Sequence, residues 1–222
     1  MTETEHTKRT RAVAGLLGAV VWANLLVILA SALAEGVQTG ESPLAVLVFL
    51  TSFFTIWTNA AVGLTLTVPL VWPETRLGHL FRRHDVLTAV AASITFVMVT
   101  YHLLLSSQVD PEGIALLTDV LAHYLVPVSF VGYWWFVSPK ETLRWRDPLV
   151  WLSYPLAYQV HVFVRGALTG FYPYPFVDVA SLGFVPVLRN TLGTGAAFVV
   201  ISLAFVAVGR VEMRWNHAPQ EN

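Results

Sequence analysis

Ser52-Phe53-Phe54-Thr55-Ile56-Trp57-Thr58-Asn59 lies inside an apolar run covering residues 44–71. Such a run is long enough to cross ~30 Å of hydrocarbon at about 1.5 Å per residue, and it predicts a membrane-spanning helix. Thr55 and Asn59 stand four apart, so they share one helix face, a turn apart. A hydroxyl and an amide stacked at that depth imply a face turned toward protein or a water-filled cavity.

Working outward, five more apolar runs cover residues 12–34, 86–106, 114–137, 149–167 and 186–209. Of the 222 residues, 55% are hydrophobic and 12% charged, with a mean hydropathy of +0.63. That charged fraction is about half the ~25% of a soluble domain. The reading is an all-α, polytopic membrane protein of six transmembrane helices in one domain over residues 1–222, with residues 1–10 as a disordered tail. A net charge of −1 gives no footprint for nucleic acid. The absence of cysteine excludes disulfides and thiolate metal sites. Neither a cofactor nor a metal is expected. The Ala-, Val- and Leu-rich composition fits a bacterial inner (plasma) membrane.

Ala32-Leu33-Ala34 resembles a signal-peptide cleavage site, but the run before it exceeds a signal peptide's apolar core. Cleavage would also leave an odd number of helices, so the run is read as the first span. Basic residues set the orientation. Lys8, Arg9 and Arg11, then Arg76, Arg82 and Arg83, then Lys140, Arg144 and Arg146, then Arg210 and Arg214 fall in every second connection between the runs, all on one side. Residues 35–43 and 107–113 contain no Lys or Arg. The positive-inside rule then puts both termini in the cytoplasm. Trp72, Trp134, Trp135, Trp145, Trp151 and Trp215 read as an interfacial belt at that side. Residues 168–185, with Pro173 and Pro175 among Phe171, Tyr172, Tyr174 and Phe176, form a stiff outer loop that closes the helix ends or caps a cavity.

Polar residues within the spans carry the chemistry. Thr55, Asp119, His123, Tyr101, His102, His161 and Arg165 all fall between the outer surface and the midplane, with Asn59 a little beyond. Thr51, Thr58, Thr65 and Thr67 are expected to bond back to their own helix. Asp119 and Arg165 pair as a structural ion pair or belong to a site. His102 and His161 are interfacial or packing groups, or supporting site residues. His123 lies far from either interface, one turn from Asp119, as a histidine oriented by a carboxylate would. Thr55 as nucleophile, His123 as base and Asn59 or Arg165 as oxyanion donor make a hydrolytic set. No G-x-S-x-G or H-E-x-x-H motif occurs. Three histidines on three helices leave a haem or quinone protein as a further reading.

Phe54-Thr55-Ile56-Trp57-Thr58-Asn59, Tyr101-His102-Leu103-Leu104-Leu105, His123-Tyr124-Leu125-Val126-Pro127, Arg165-Gly166 and Tyr172-Pro173-Tyr174-Pro175-Phe176-Val177-Asp178 together resemble the bacterial Pr6Pr membrane proteins. These are related to the androgen-induced-gene and androgen-dependent TFPI-regulating protein family of animals. The resemblance implies six helices and an intramembrane threonine hydrolase of fatty acid esters of hydroxy fatty acids, with Thr55 and His123 in the catalytic positions. The spacing departs by one residue at both. Ile56 stands three before Asn59, where the animal pattern has threonine, and His123 stands four before Pro127 instead of five. Thr58 is therefore the competing nucleophile. The expected partner is a lipid substrate drawn from the bilayer. The alternative function is a non-catalytic binder or transporter of a small lipid or ion.

Overall fold

The computed structural model describes residues 3–138, 140 and 143–216, with side chains described at 5, 7–138, 140 and 143–210. All regular structure among these residues is helical. In chain order the elements are α1 (Glu3–Thr39), α2 (Pro43–Leu50), α3 (Phe54–Val71), α4 (Arg76–Phe81), α5 (His84–Thr100), α6 (Gly113–Val120), α7 (Val126–Val137), α8 (Asp147–Trp151), α9 (Ser153–Thr169), α10 (Val179–Leu182) and α11 (Phe184–Asn216). The tail expected to be disordered is helical from Glu3 onward, continuous with the first apolar run.

Five stretches among the described residues are long and apolar enough to cross a membrane: Thr7–Thr39, Phe54–Val71, His84–Gln108, Gly113–Val137 and Phe184–Arg210. Their outward faces are apolar. Leu16 is 68% exposed, Leu103 70%, Val128 62% and Leu192 66%, as helices bathed in lipid tails require. The expected run at 149–167 appears instead as α8 and α9, interrupted at Leu152, and α9 has only 17 residues.

The predicted helix over 44–71 is also broken. α2 ends at Leu50 and α3 begins at Phe54, so Thr55 lies in the first turn of a new helix. Thr51 and Ser52 side chains turn back onto the Val48 carbonyl, at 2.9 and 3.1 Å, and compete with continued winding. Inside a bilayer the freed backbone groups need protein partners. Trp57 Nε1–H donates to the Thr51 carbonyl at 2.7 Å, and the Tyr158 hydroxyl donates to the Ser52 carbonyl at 2.5 Å. Phe54 N–H donates to the Tyr174 hydroxyl oxygen at 2.9 Å. The hydroxyls of Thr58, Thr65 and Thr67 bond back to the carbonyls of Phe54, Ala61 and Gly63.

α3 packs on α1 and α5, and α5 packs on α7 and α11. Close approach of α1 to α3 depends on a missing side chain, because a Cβ at Gly63 would meet the Trp22 ring at 2.8 Å. The core between these helices includes Val62, Leu66, Ala91, Ile94 and Phe130, all at 0–1% exposure. α9 joins differently. Aromatic side chains bridge it to α3, with Phe54 5.2 Å from Tyr154 and 4.9 Å from Tyr158 between ring centroids. Gly170, with φ 73°, ends α9 in the left-handed region and turns the chain into the loop. There the Tyr172 ring lies flat on Gly166, so closely that an added Cβ would sit 2.1 Å from it.

The tryptophan belt is partial. Trp72, Trp135 and Trp145 are exposed, but Trp134 and Trp151 are buried, and Trp134 Nε1–H donates to Thr88 Oγ1 at 2.9 Å. Lys140, expected as a loop charge, is 5% exposed and sits over the Trp134 and Trp135 rings. The side chains of Arg214 and Trp215 lie outside the described residues.

Candidate active site

Two π-helical turns face each other beside the start of α3. Tyr101–Leu105 continues α5, and Leu121–Leu125 joins α6 to α7. A π-turn inserts one residue into a helix and re-aims the side chains it carries. Here the two turns bring the Tyr101 and His123 rings face to face, 3.7 Å apart and 8° from parallel. The wide turn at 121–125 is buttressed by amides from neighbouring helices. Asn24 Nδ2–H donates to the Thr118 carbonyl at 3.2 Å, and Asn59 Nδ2–H donates to the Ala122 carbonyl at 3.2 Å.

His123 Nε2 lies 3.1 Å from Thr55 Oγ1. Its Nδ1 lies 3.0 Å from Asp119 Oδ1 and 3.1 Å from the Asp119 carbonyl oxygen. Nδ1 faces only acceptors, so it holds the proton, and Nε2 is left to accept from the Thr55 hydroxyl. Tyr101 donates its hydroxyl to the other Asp119 oxygen at 2.7 Å. The Thr55 hydroxyl, the His123 imidazole and the Asp119 carboxylate thus stand in line, with the carboxylate held by a neutral donor.

Other expected site residues are placed elsewhere. Asp119 makes no ion pair with Arg165, whose guanidinium instead lies 4.6 Å from the centre of the Phe171 ring. Asn59 does not serve as an oxyanion donor, because its amide is committed to the Thr55 and Ala122 carbonyls, at 2.9 and 3.2 Å. It is a brace between α3 and the π-turn. His161 packs on Trp57, and His102 is exposed with Nδ1 3.2 Å from the Tyr124 hydroxyl. Thr58 is fully buried, with its hydroxyl between the Phe54 carbonyl and the Tyr154 hydroxyl, so no base reaches it.

Tyr174 is the site residue that sequence reasoning named without a role. Its phenol oxygen receives the Phe54 amide and lies against both the backbone and side chain of Thr55. Burial pushes this phenol above its usual titration range, so it stays a neutral O–H. The stiff spacing Pro173-Tyr174-Pro175 was the available signal, since it drives one aromatic inward while fixing its flanks. A cavity of about 530 Å³ opens on Thr55, His123 and Asp119 and is capped by Pro173, Tyr174 and Pro175. A second, of about 80 Å³, lies on the other side of Thr55, between α5, α9 and α11.

The arrangement can pass a proton from a hydroxyl to an imidazole within a largely apolar enclosure. Compared with known proteins, the chain matches no family model, no curated protein and no solved structure.

Proposed function

We propose that the protein is an intramembrane hydrolase of lipid esters in which Thr55 is the nucleophile and His123 the base. The observation that carries this reading is the 3.1 Å contact between Thr55 Oγ1 and His123 Nε2, with Nδ1 held by Asp119 at 3.0 Å. Thr55 Oγ1 attacks the ester carbonyl while Nε2 takes its proton. The tetrahedral oxyanion is met by the Tyr174 O–H, which lies against the backbone and side chain of Thr55. As the C–O bond breaks, Nε2 returns the proton to the departing alcohol and an acyl ester on Thr55 remains. Water then gives its proton to Nε2 and attacks that ester, releasing the carboxylic acid and restoring Thr55.

The motif resemblance to the Pr6Pr and androgen-induced-gene proteins suggests the same roles, and fatty acid esters of hydroxy fatty acids as one class to assay. We read α8 and α9 together as a sixth, interrupted span, with both termini cytoplasmic and the site in the outer half of the plasma membrane. The interruption suits a helix that lines a cavity instead of facing lipid.

A fluorophosphonate probe with a long alkyl chain tests the chemistry on purified protein. Labelling and ester hydrolysis are expected in the native protein and lost in Thr55→Ala and in His123→Ala, with the double variant no worse than either. Thr55→Ser keeps part of the activity, and Thr58→Ala keeps nearly all of it. Unchanged hydrolysis in all the alanine variants would replace the enzyme with a lipid-binding protein.

A further inference from the structure

Thr55 separates two cavities that differ in size and in chemistry. Thr55, Tyr101, Leu105 and Tyr174 line both. His123 lines only the larger one, of about 530 Å³. An ester carbonyl seated on Thr55 Oγ1 therefore sends its two halves in opposite directions, and proton transfer decides which goes where. His123 must protonate the departing alcohol and afterwards activate water from the same position. The alcohol half thus lies on the side of His123, in the large cavity, and the acyl half goes into the small one.

The small cavity, about 80 Å³, has room for roughly half a dozen non-hydrogen atoms. A long acyl chain exceeds it. Its wall also holds two buried polar atoms without partners, Gln159 Nε2 and Thr191 Oγ1. Such atoms cost free energy until something pairs with them, and in a cavity beside a nucleophile that something is a ligand. Both can donate to an oxygen. Among the described residues, no Lys, Arg, His, Asp or Glu lines this cavity, so a charged end group would be left without a counter-ion.

We infer that the small cavity is an acyl subsite for a short acyl group bearing a neutral oxygen, such as a hydroxyl or keto group, held by Gln159 and Thr191. The substrate class is then an ester of a short hydroxy- or oxo-acid with a long-chain alcohol. This rests on the hydrolase reading above.

The test is a series of dodecyl esters given to the full chain in detergent or vesicles: 3-hydroxybutyrate, butyrate, acetate and palmitate, beside a palmitate ester of hydroxystearate. The native protein is expected to favour the hydroxybutyrate over the butyrate by about fivefold to tenfold, the range of one or two net hydrogen bonds. Both palmitates should be cleaved much more slowly, so the subsite departs from the substrate class that the sequence resemblance suggests. Gln159→Leu and Thr191→Val should erase the preference while leaving butyrate turnover within about twofold. Gly195 also lines the cavity, and a Cβ there would meet no atom within 4 Å. Gly195→Leu should therefore block butyrate but spare acetate. Retained probe labelling at Thr55 shows that each variant is folded. A preference that survives both substitutions, or a palmitate cleaved as fast as butyrate, overturns the subsite and leaves the hydrolase standing. Failure of the native protein to cleave any of the esters overturns both.

Discussion

At the scale of single residues, the imidazole tautomer is the controlling variable of the proposed hydrolase. Asp119 fixes it, and Tyr101 fixes Asp119 through the 2.7 Å hydrogen bond. Asp119→Asn can turn an N–H toward Nδ1 and drive the proton to Nε2, where it blocks the base. The expected loss in kcat is about 10²- to 10⁴-fold, with the substrate's KM little changed and the protein still inserted. Tyr101→Phe keeps the ring stacked on His123 and removes only one donor, so its loss should be nearer threefold to tenfold. Arg165 belongs to a different neighbourhood. A cycle of Asp119→Asn and Arg165→Ala, read as unfolding free energy in detergent, should be additive to within ~0.5 kcal/mol. Coupling above that would mean the two charges meet. The polar types of Thr55, Asp119 and His123 and their gathering in one place were legible in the sequence, because a bilayer leaves few innocent reasons for such groups. The partner of Asp119 was not. Charge alone pointed to Arg165, whereas a π-turn delivers the uncharged Tyr101.

At the scale of elements, the break between α2 and α3 does most to shape the site. It was invisible in residues 44–71, where no Gly or Pro stands between positions 44 and 62 to mark it. The groups that make it affordable come from far along the chain, Tyr158 being 106 residues from Ser52 and Tyr174 being 120 from Phe54. Tyr158→Phe should leave the Ser52 carbonyl unpaired and lower stability by about 1–3 kcal/mol in a detergent unfolding assay. If stability is unchanged, the break is held by other means. The π-turn at 121–125 is equally specific to register. Deleting Leu121 should restore an ordinary α-helix and turn His123 away from Thr55. Circular dichroism should then be unchanged while probe labelling is lost. The short α10 has a pH-dependent start. Asp178 accepts from the Ala180 and Ser181 amides and from the Ser181 hydroxyl. These bonds hold its carboxyl below the usual range, the Ser181 hydroxyl contributing most. The native-state value is depressed, so the cap is complete above the unfolded value near ~3.9 and is lost as pH falls through the folded one. Pepsin cleavage within residues 174–183 should thus rise only below about pH 4, and Asp178→Ala should raise it above that pH and change little below it.

At the scale of the whole molecule, orientation decides which leaflet lies beside Thr55 and His123. The chain has no native cysteine, so introduced thiols report cleanly. Gly113 and Gly170 are unsuitable because both have positive φ, and Gly78 is unsuitable because a Cβ there would meet the Trp72 carbonyl at 2.1 Å. Exposed Glu41, Asp110 and Glu74 are better positions. With cytoplasmic termini, Glu41→Cys and Asp110→Cys should react with an impermeant maleimide on intact cells, and Glu74→Cys only after lysis. The reverse pattern would place the site in the inner leaflet. The helical membrane architecture was legible from hydropathy alone. The division of α8 from α9 was not, because aromatic side chains, and not a backbone ridge, connect this part to α3.

The seat of Tyr172 on Gly166 also has a historical consequence. A methyl group at position 166 cannot coexist with a ring at position 172 in this pose, since the gap would be 2.1 Å. A lineage that changes one of these positions first must pass through a form in which the loop over Thr55 is unseated. Descendants of this chain are therefore expected to carry a side chain at position 166 only where position 172 has lost its ring: the ring must shrink before the glycine grows.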